Sequence, residues 1–247
     1  MPGGEFIKQL IGGPSDFGLG WAIILASSVL AIMATFITLI KWLISKMGTK
    51  SQLLHKISLL TIGTDIDYFK TFLGNPAFIN RVGNYTELIF VNRYFYVQAL
   101  ESFGRVVLFS ITTRERGFKP VFKIGGSDVT IKLGKTKFSE LGEPRRVFKR
   151  CGDHGGFDFY AELHWFGNPG HYLYYGFGIN ENGHGRFLHV PHSFMENVPE
   201  DKNEIDEFRA GNSINTYTVV GSIEEDEIVR ENIEFGPQRS QIRVLNE

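Results

Sequence analysis

The feature that most constrains this chain is an uncharged apolar run near its N-terminus. No charged residue occurs between Phe17 and Ile40, and the stretch from Trp21 to Ile40 is apolar except for two serines and two threonines. A helix rises about 1.5 Å per residue, so about twenty such residues cross a hydrocarbon core of about 30 Å. The run therefore predicts one transmembrane helix over residues 21–44.

Residues at both ends of the run are typical of membrane anchors. Trp21 and Trp42 are expected in the two headgroup regions, and Lys41 and Lys46 are expected to reach toward the second region. A buried core helix is the alternative, but such helices are usually shorter. A cleaved signal peptide is disfavoured because a single basic residue, Lys8, precedes the run.

The lysines that flank the run predict its orientation. Lys8 stands alone on the N-terminal side, whereas Lys41, Lys46, Lys50 and Lys56 follow the run. The positive-inside rule then places the large C-terminal part in the cytoplasm, with the helix crossing the inner membrane once. Membrane lipid is accordingly an expected partner.

Composition limits the class of the remaining chain. The 247 residues include 22 Phe and 9 Tyr, an excess that favours strands and aromatic cores. The single cysteine, Cys151, cannot form an internal disulfide, which excludes a disulfide scaffold and a cysteine-rich zinc site. A formal net charge of −1 argues against nucleic acid as a partner.

Charge is distributed unevenly along the chain. Residues 41–153 hold 19 Lys and Arg against 9 Asp and Glu, whereas residues 195–247 hold 5 against 13. Anionic headgroups would attract the basic half and repel the acidic end. The alternative is that both regions carry ordinary solvated faces.

Two stretches share one pattern, an apolar residue and a glycine followed by helical Phe spacing and then Leu-Gly-x-Pro. They occupy residues 60–76 and 131–144. Thr64 and Thr136 are the predicted entry residues of two short helices. Gly74 and Gly142 are the predicted ends, because a proline follows each glycine two residues later.

Aromatic and β-branched runs follow each short helix and predict antiparallel strands. The runs are residues 86–92, 94–100, 104–112, 157–166, 171–180 and 215–220. We therefore predict an α+β fold in which one N-terminal transmembrane helix precedes a tandem repeat of short helices and antiparallel sheet. The predicted segments are a short N-terminal segment (1–20), the transmembrane helix (21–44), a juxtamembrane linker (45–56), a first α+β repeat (57–128), a second α+β repeat (129–223) and an acidic C-terminal tail (224–247), part of which we expect to be disordered.

These motifs resemble two groups of known proteins. The order Gly-Thr, short helix, Leu-Gly-x-Pro and paired strands is similar to the repeat of β-lactamase-inhibitor-protein-like domains and small outer-membrane-assembly lipoproteins, which implies the same fold. The stretches IGTDIDYFKTFLGNPAFI, YFYVQAL, IKLGKTKF and NTYTV resemble an uncharacterised family of bacterial membrane-anchored proteins named after an ETEC locus. That resemblance implies an anchor followed by a soluble part, and no activity. No lipobox cysteine lies near the N-terminus, unlike in the lipoproteins.

Catalytic motifs are scarce in the sequence. His184, His189 and His192 form the tightest histidine group and offer three imidazoles to a zinc ion, which would suit a membrane-bound metal hydrolase. The surrounding glycines and Pro191 make this segment a loop, where histidines are usually turn and surface residues. Neither a G-x-S-x-G elbow nor a phosphate-binding loop occurs. We expect no enzyme activity and no cofactor.

The strand at residues 171–180 supplies the candidate partner face. Tyr172, Tyr174 and Tyr175 lie together in it, and a core position is the alternative for them. An anchor, an interaction-type fold and the lack of a catalytic set together predict a non-enzymatic binding module. We expect it to recruit a protein partner to the bacterial inner membrane.

A second function is predicted from the stripe of small residues in the apolar run. Ser27, Ala31 and Thr35 recur every four residues, a spacing that suits helix packing and homo-oligomerisation. The alternative function is a membrane effector of a stress or phage-defence system, whose soluble domain senses a small ligand and whose helix oligomerises in the bilayer.

Overall fold

The structure is a computed structural model that describes residues 14–151, 157–168, 171–188, 190–195 and 201–238. The chain divides into two compact units, residues 1–53 and residues 54–247. The predicted N-terminal segment 1–20 falls mostly outside the described residues.

A single long helix, α1, runs over Pro14–Ser58. Proline suits its first turn, where the missing N–H would have no helical partner. The helix continues through residues 45–56, where we predicted a linker, because these residues include good helix formers and no proline. Within the part of the chain that the structure describes, no helical stretch reaches the length and apolarity that a membrane crossing requires.

Short helices and strands make up the second unit. The helical segments after α1 are α2 (Ile66–Leu73), a 3₁₀ turn (Phe138–Glu140), α3 (His192–Met195), α4 (Lys202–Gly211) and α5 (Glu225–Arg230). The strands are β1 (Phe78–Val82), β2 (Tyr85–Val91), β3 (Phe95–Ser102), β4 (Arg105–Thr113), β5 (Val121–Lys123), β6 (Thr130–Lys132), β7 (Arg146–Cys151), β8 (Phe157–Asn168), β9 (His171–Asn180) and β10 (Thr216–Val220).

Eight of these strands form one antiparallel sheet in the order β1-β2-β3-β4-β10-β9-β8-β7. It consists of two four-stranded meanders, β1 to β4 and β7 to β10, that join where β4 pairs with β10. Tyr217 lies opposite Ile111 at this junction. The remaining strands, β5 and β6, form a separate hairpin. The predicted α+β class with antiparallel sheet is confirmed.

Local signals explain the two short helical elements. Asp65, not the predicted Thr64, caps α2, because its Oδ1 accepts a hydrogen bond from the N–H of Asp67 at 2.8 Å. Gly74 ends this helix with φ +84°, as predicted. The second predicted helix forms only the 3₁₀ turn Phe138–Glu140.

One face of the sheet, which we call the helix face, is covered by α2, the 3₁₀ turn, α3, α4 and the hairpin. Phe69 of α2 packs edge-on against Phe109, and Phe208 of α4 packs edge-on against Tyr160. Phe122 of the hairpin stacks on Tyr217 with 4.2 Å between ring centroids.

The opposite face, which we call the segment face, is covered by residues 223–238. Ile228, Ile233 and Phe235 are buried there in one cluster with Leu108 and Leu163 of the sheet. Residues 224–238 of the predicted acidic tail therefore belong to the folded unit, whereas residues 239–247 of that tail lie outside the described residues. The reason is that apolar residues alternate with the acidic ones and bury against the sheet.

Candidate functional site

An exposed group of aromatic side chains lies on the segment face of β8 and β9, near the turn that joins them. Trp165 is 51% exposed and Tyr172 is 45% exposed, with 4.7 Å between their ring centroids. Tyr174 stacks near Trp165 at 6.1 Å. We call Trp165, Tyr172, Tyr174 and the neighbouring Arg145 the aromatic patch.

Strand pairing brings these side chains together. Trp165 lies directly opposite Tyr174, and Gly167 lies opposite Tyr172. Gly167 has no side chain, so the ring of Tyr172 has room to lean toward Trp165. Two ladders hold the backbone of β8, since it pairs with β7 on one side and β9 on the other. The rings therefore stand on a rigid support.

Arg145 completes the patch with its positive charge. Its guanidinium lies 5.4 Å from the centroid of the Trp165 ring and 5.8 Å from that of Tyr174. Its Nε donates a hydrogen bond of 2.6 Å to Glu225, which raises the pKa of Arg145. The patch thus combines apolar rings with a cation whose position is fixed by α5.

The predicted partner face is divided by the sheet. Tyr172 and Tyr174 belong to the patch, but Tyr175 points to the helix face and is only 6% exposed. The physical reason is the two-residue period of a strand, which sends adjacent side chains to opposite faces. Burial raises the pKa of Tyr175. Trp165 takes its place in the patch, and the Gly-Asn-Pro-Gly turn was the sequence signal that could have paired it with Tyr174.

Acidic residues of the C-terminal segment pair with the basic residues of β7 and the residue before it. Arg146 lies 3.2 Å from both Glu225 and Asp226, and Arg150 lies 2.6 Å from Glu234. In these contacts, basic residues of the positively charged half of the sequence pair with acidic residues of its negatively charged end. The arginines concerned are therefore engaged within the fold.

A second polar cluster is buried under the helix face. Glu162 is fully buried and lies 2.7 Å from Nε of Arg209 and 3.1 Å from Nε2 of His164. The hydroxyl of Tyr160 donates to the same carboxylate at 2.8 Å. Burial lowers the pKa of Arg209, but the hydrogen bond to Glu162 and the nearby negative charges together outweigh burial, so this pKa is raised. Glu162 and Arg209 are paired, so removal of either partner would leave a buried charge without compensation. Sequence reasoning missed this cluster because Arg209 lies 47 residues after Glu162 in the chain.

The residues predicted for the membrane anchor belong to α1. Residues 27–41 are all exposed, including Ser27, Ala31, Thr35 and Lys41. The hydroxyl of Thr35 donates a hydrogen bond of 2.8 Å to the carbonyl of Ala31, within the helix itself. The side chains of Trp21, Trp42 and Lys46 lie outside the described residues.

The histidine group of the sequence does not appear as a metal site in the described part of the chain. His184 is half-buried, His192 is exposed at the start of α3, and His189 lies outside the described residues. No group of three or more His, Cys, Asp or Glu suited to a metal ion occurs among the residues described.

Comparisons with known proteins identify no family. No family model and no curated protein matches the chain. The chain is similar to a crystal structure of a cysteine-rich secretory protein from Staphylococcus aureus, with 9% identity and a TM-score of 0.27. The alignment covers 65% of this chain and 44% of the staphylococcal protein, so this chain spans less than half of that protein's length.

Proposed function

We propose that this chain is a membrane-anchored, non-enzymatic binding module that recruits a protein partner to the bacterial inner membrane through the aromatic patch. The observation that carries the proposal is the exposure of the Trp165 and Tyr172 rings, which lie in contact on a rigid sheet. Large exposed aromatic groups commonly mark protein–protein contacts.

The composition of the patch suits a binding hot spot. Trp, Tyr and Arg are the residues most enriched among side chains that dominate interface energies. Arg145 is already fixed by Glu225, and Trp165 is already stacked, so little side-chain freedom is lost when a partner binds. A partner that offers an apolar side chain beside a carboxylate would match both the rings and the guanidinium.

The membrane anchor is supported by the exposed apolar side chains of α1. Eight large apolar residues stand exposed between residues 29 and 40: Val29, Leu30, Ile32, Met33, Phe36, Ile37, Leu39 and Ile40. A contiguous apolar surface of this kind needs a covering in water, and lipid provides one. The sequence continues without a charge back to Phe17. The resemblance of the sequence motifs to bacterial membrane-anchored proteins supports the same placement.

Lysines on the C-terminal side of the run support a cytoplasmic location for the binding module. Lys41 is exposed at the end of the apolar stretch, and Lys50 and Lys56 follow in the same helix. Positively charged flanks are retained on the cytoplasmic side during insertion. The partner is therefore expected among cytoplasmic or inner-membrane proteins.

Site-specific photo-crosslinking tests this proposal. A photoreactive phenylalanine analogue replaces Tyr172 in the full chain, and isolated inner membranes are irradiated. We expect one dominant adduct from this position and its loss when Trp165→Ala is added. The control position is Ile79, which is 65% exposed on the edge strand β1, away from the patch. Equal adducts from positions 79 and 172 would contradict a specific partner at the patch.

A further inference from the structure

A groove opens on the helix face, on the side of the sheet opposite the aromatic patch. It has a volume of about 340 Å³, at the lower end of the range of about 300 to 1,000 Å³ typical of ligand pockets. The last turn of α1, the segment after it and strands β4, β5, β9 and β10 provide its walls. Its lining side chains include Ile57, Leu60, Phe122, Tyr175 and Tyr217.

Apolar side chains share the walls of the groove with polar groups. Ile57, Leu60 and Phe122 present aliphatic and aromatic surface to it. A neighbouring hollow of about 310 Å³ shares Ile57 and Phe122 and continues along the hairpin past Pro120. This second hollow is mainly apolar, so the two adjoining hollows offer apolar surface to a hydrocarbon chain beside polar groups.

Tyr217 contributes a hydroxyl without a protein partner among the described residues. The residue is 6% exposed and lines the groove. Among the described residues, no hydrogen-bond partner reaches its hydroxyl. Burial and the nearby Tyr175 raise the pKa of Tyr217 far above its ordinary value, so its hydroxyl stays protonated and able to donate. A phenolic hydroxyl can donate one hydrogen bond, so this group is available to a ligand in the groove.

The rim of the groove is positively charged. Lys123 lines the groove itself and Lys119 lines the adjoining hollow, and both residues are exposed. No acidic side chain of the described residues forms an ion pair with either lysine. Apolar wall surface next to uncompensated cations complements an anionic amphiphile.

We propose that this groove binds a long-chain fatty acid, with the acyl chain against Ile57, Leu60 and Phe122 and the carboxylate near Lys123 and the hydroxyl of Tyr217. A fatty acid is favoured over a phospholipid because the volume suits one acyl chain. The site is separate from the aromatic patch and goes beyond partner recruitment, since it makes the binding module responsive to a lipid metabolite.

Photolabelling with a diazirine-bearing palmitate tests the site. The probe is added to the full chain in phosphatidylcholine nanodiscs, and the adducts are mapped by mass spectrometry. We expect saturable adducts in the peptides that contain Phe122 and Tyr217, displaced by unlabelled palmitate. Adducts confined to residues 21–44 would overturn the groove while leaving the membrane anchor intact. Preferential labelling by a diazirine phospholipid at the groove would overturn the choice of a fatty acid.

Two variants sharpen the result without disturbing the core. Tyr217→Phe keeps the ring stack with Phe122 and removes only the hydroxyl, and we expect about fivefold weaker labelling, as for one lost hydrogen bond. Lys119→Glu with Lys123→Glu should weaken labelling about tenfold at low salt, and less at high salt. The matched control reverses two exposed lysines elsewhere, Lys135 and Lys202, and should change labelling less than twofold. Unchanged labelling in both test variants would refute the site.

Discussion

The Nη1 atom of Arg150 lies 2.6 Å from Oε1 of Glu234, and this contact ties the edge strand β7 to the C-terminal segment across the segment face. The second carboxylate oxygen of Glu234 is buried without a hydrogen-bond partner among the described residues. A carboxylate in this position is only half satisfied. Its charge state should therefore influence how firmly the segment is held.

Glu234 should make stability depend on pH. Burial, opposed by Arg150 and assisted by Glu87 and Asp158, raises the pKa of Glu234 to about 7. The unfolded chain titrates near pH 4.3, so the folded state holds the proton more tightly. The protonated Glu234 side chain therefore contributes stability to the fold. This contribution is fully present below about pH 4.3 and is lost as the pH rises through about 7.

Comparison with Glu234→Gln isolates this effect. Relative to the variant, the wild-type chain should lose up to about 3 kcal/mol of unfolding free energy between pH 5 and 8. Urea titrations of the full chain in mild detergent measure the difference at each pH. A wild-type advantage that grows with pH would mean that Arg150 dominates over burial, contrary to this prediction.

The buried pair of Glu162 and Arg209 should show strong coupling. Glu162→Leu alone or Arg209→Met alone leaves one buried charge without its partner and should cost about 3 to 5 kcal/mol of stability. The double variant removes both charges, so it should be more stable than the sum of the single effects predicts. A double-mutant cycle by urea unfolding measures the coupling, and additive costs would show that the pair does not act as a unit.

Phe235 should anchor the C-terminal segment. Its ring is buried in the core cluster and packs edge-on against Phe148, with 5.3 Å between ring centroids. Phe235→Ala should cost about 3 to 5 kcal/mol of unfolding free energy. Val229→Ala is the control, because Val229 belongs to the same segment but is exposed, and should change stability by less than about 0.5 kcal/mol. Similar costs for both variants would indicate a loosely attached segment.

Gly176 should be required because it makes room for Phe235. A Cβ atom at Gly176 would lie 2.5 Å from Cδ2 of Phe235, so Gly176→Ala should cost about 1 to 3 kcal/mol. The same substitution should cost much less when Phe235 is already alanine. Gly125→Ala serves as the control, since its new Cβ would meet only the hydroxyl of Tyr175 at 3.7 Å. Thermal unfolding of Gly176→Ala, Phe235→Ala, their double variant and Gly125→Ala measures the coupling between positions 176 and 235. Additive effects at these two positions would show that Gly176 has another role.

Much of the sheet could be predicted from the sequence, because most of its strands are rich in the aromatic and β-branched residues that favour strands. The predicted strand at 171–180 coincides with β9, and the predicted run at 86–92 differs from β2 by one residue at each end. Strand β7 was not predicted, because charged residues occupy half of its positions and hide the strand pattern. Helix α4 was not predicted either, because its sequence is mainly polar and only Phe208 and Arg209 are buried.

The candidate sites were harder to predict, because each depends on contacts between distant residues. Tyr172 and Tyr174 were found from one strand, but Trp165 joins them only through the register of β8 with β9. The groove depends on the contact between Phe122 of the hairpin and Tyr217, which lies 95 residues later in the chain. No local sequence pattern predicts that contact. A strand's period assigns Tyr175 to the face opposite Tyr174 once the strand is known.

Extraction of bacterial membranes with alkaline carbonate tests whether the binding module is anchored. The full chain should remain in the membrane pellet after this treatment, which strips peripheral proteins. Ile32→Lys with Ile37→Lys places two charges in the exposed apolar stretch of α1, at about 3 kcal/mol each in a bilayer, and should release the chain. Ile79→Lys, at an equally exposed site in the sheet, should not. Recovery of the unmodified chain in the carbonate supernatant would contradict a membrane-anchored module.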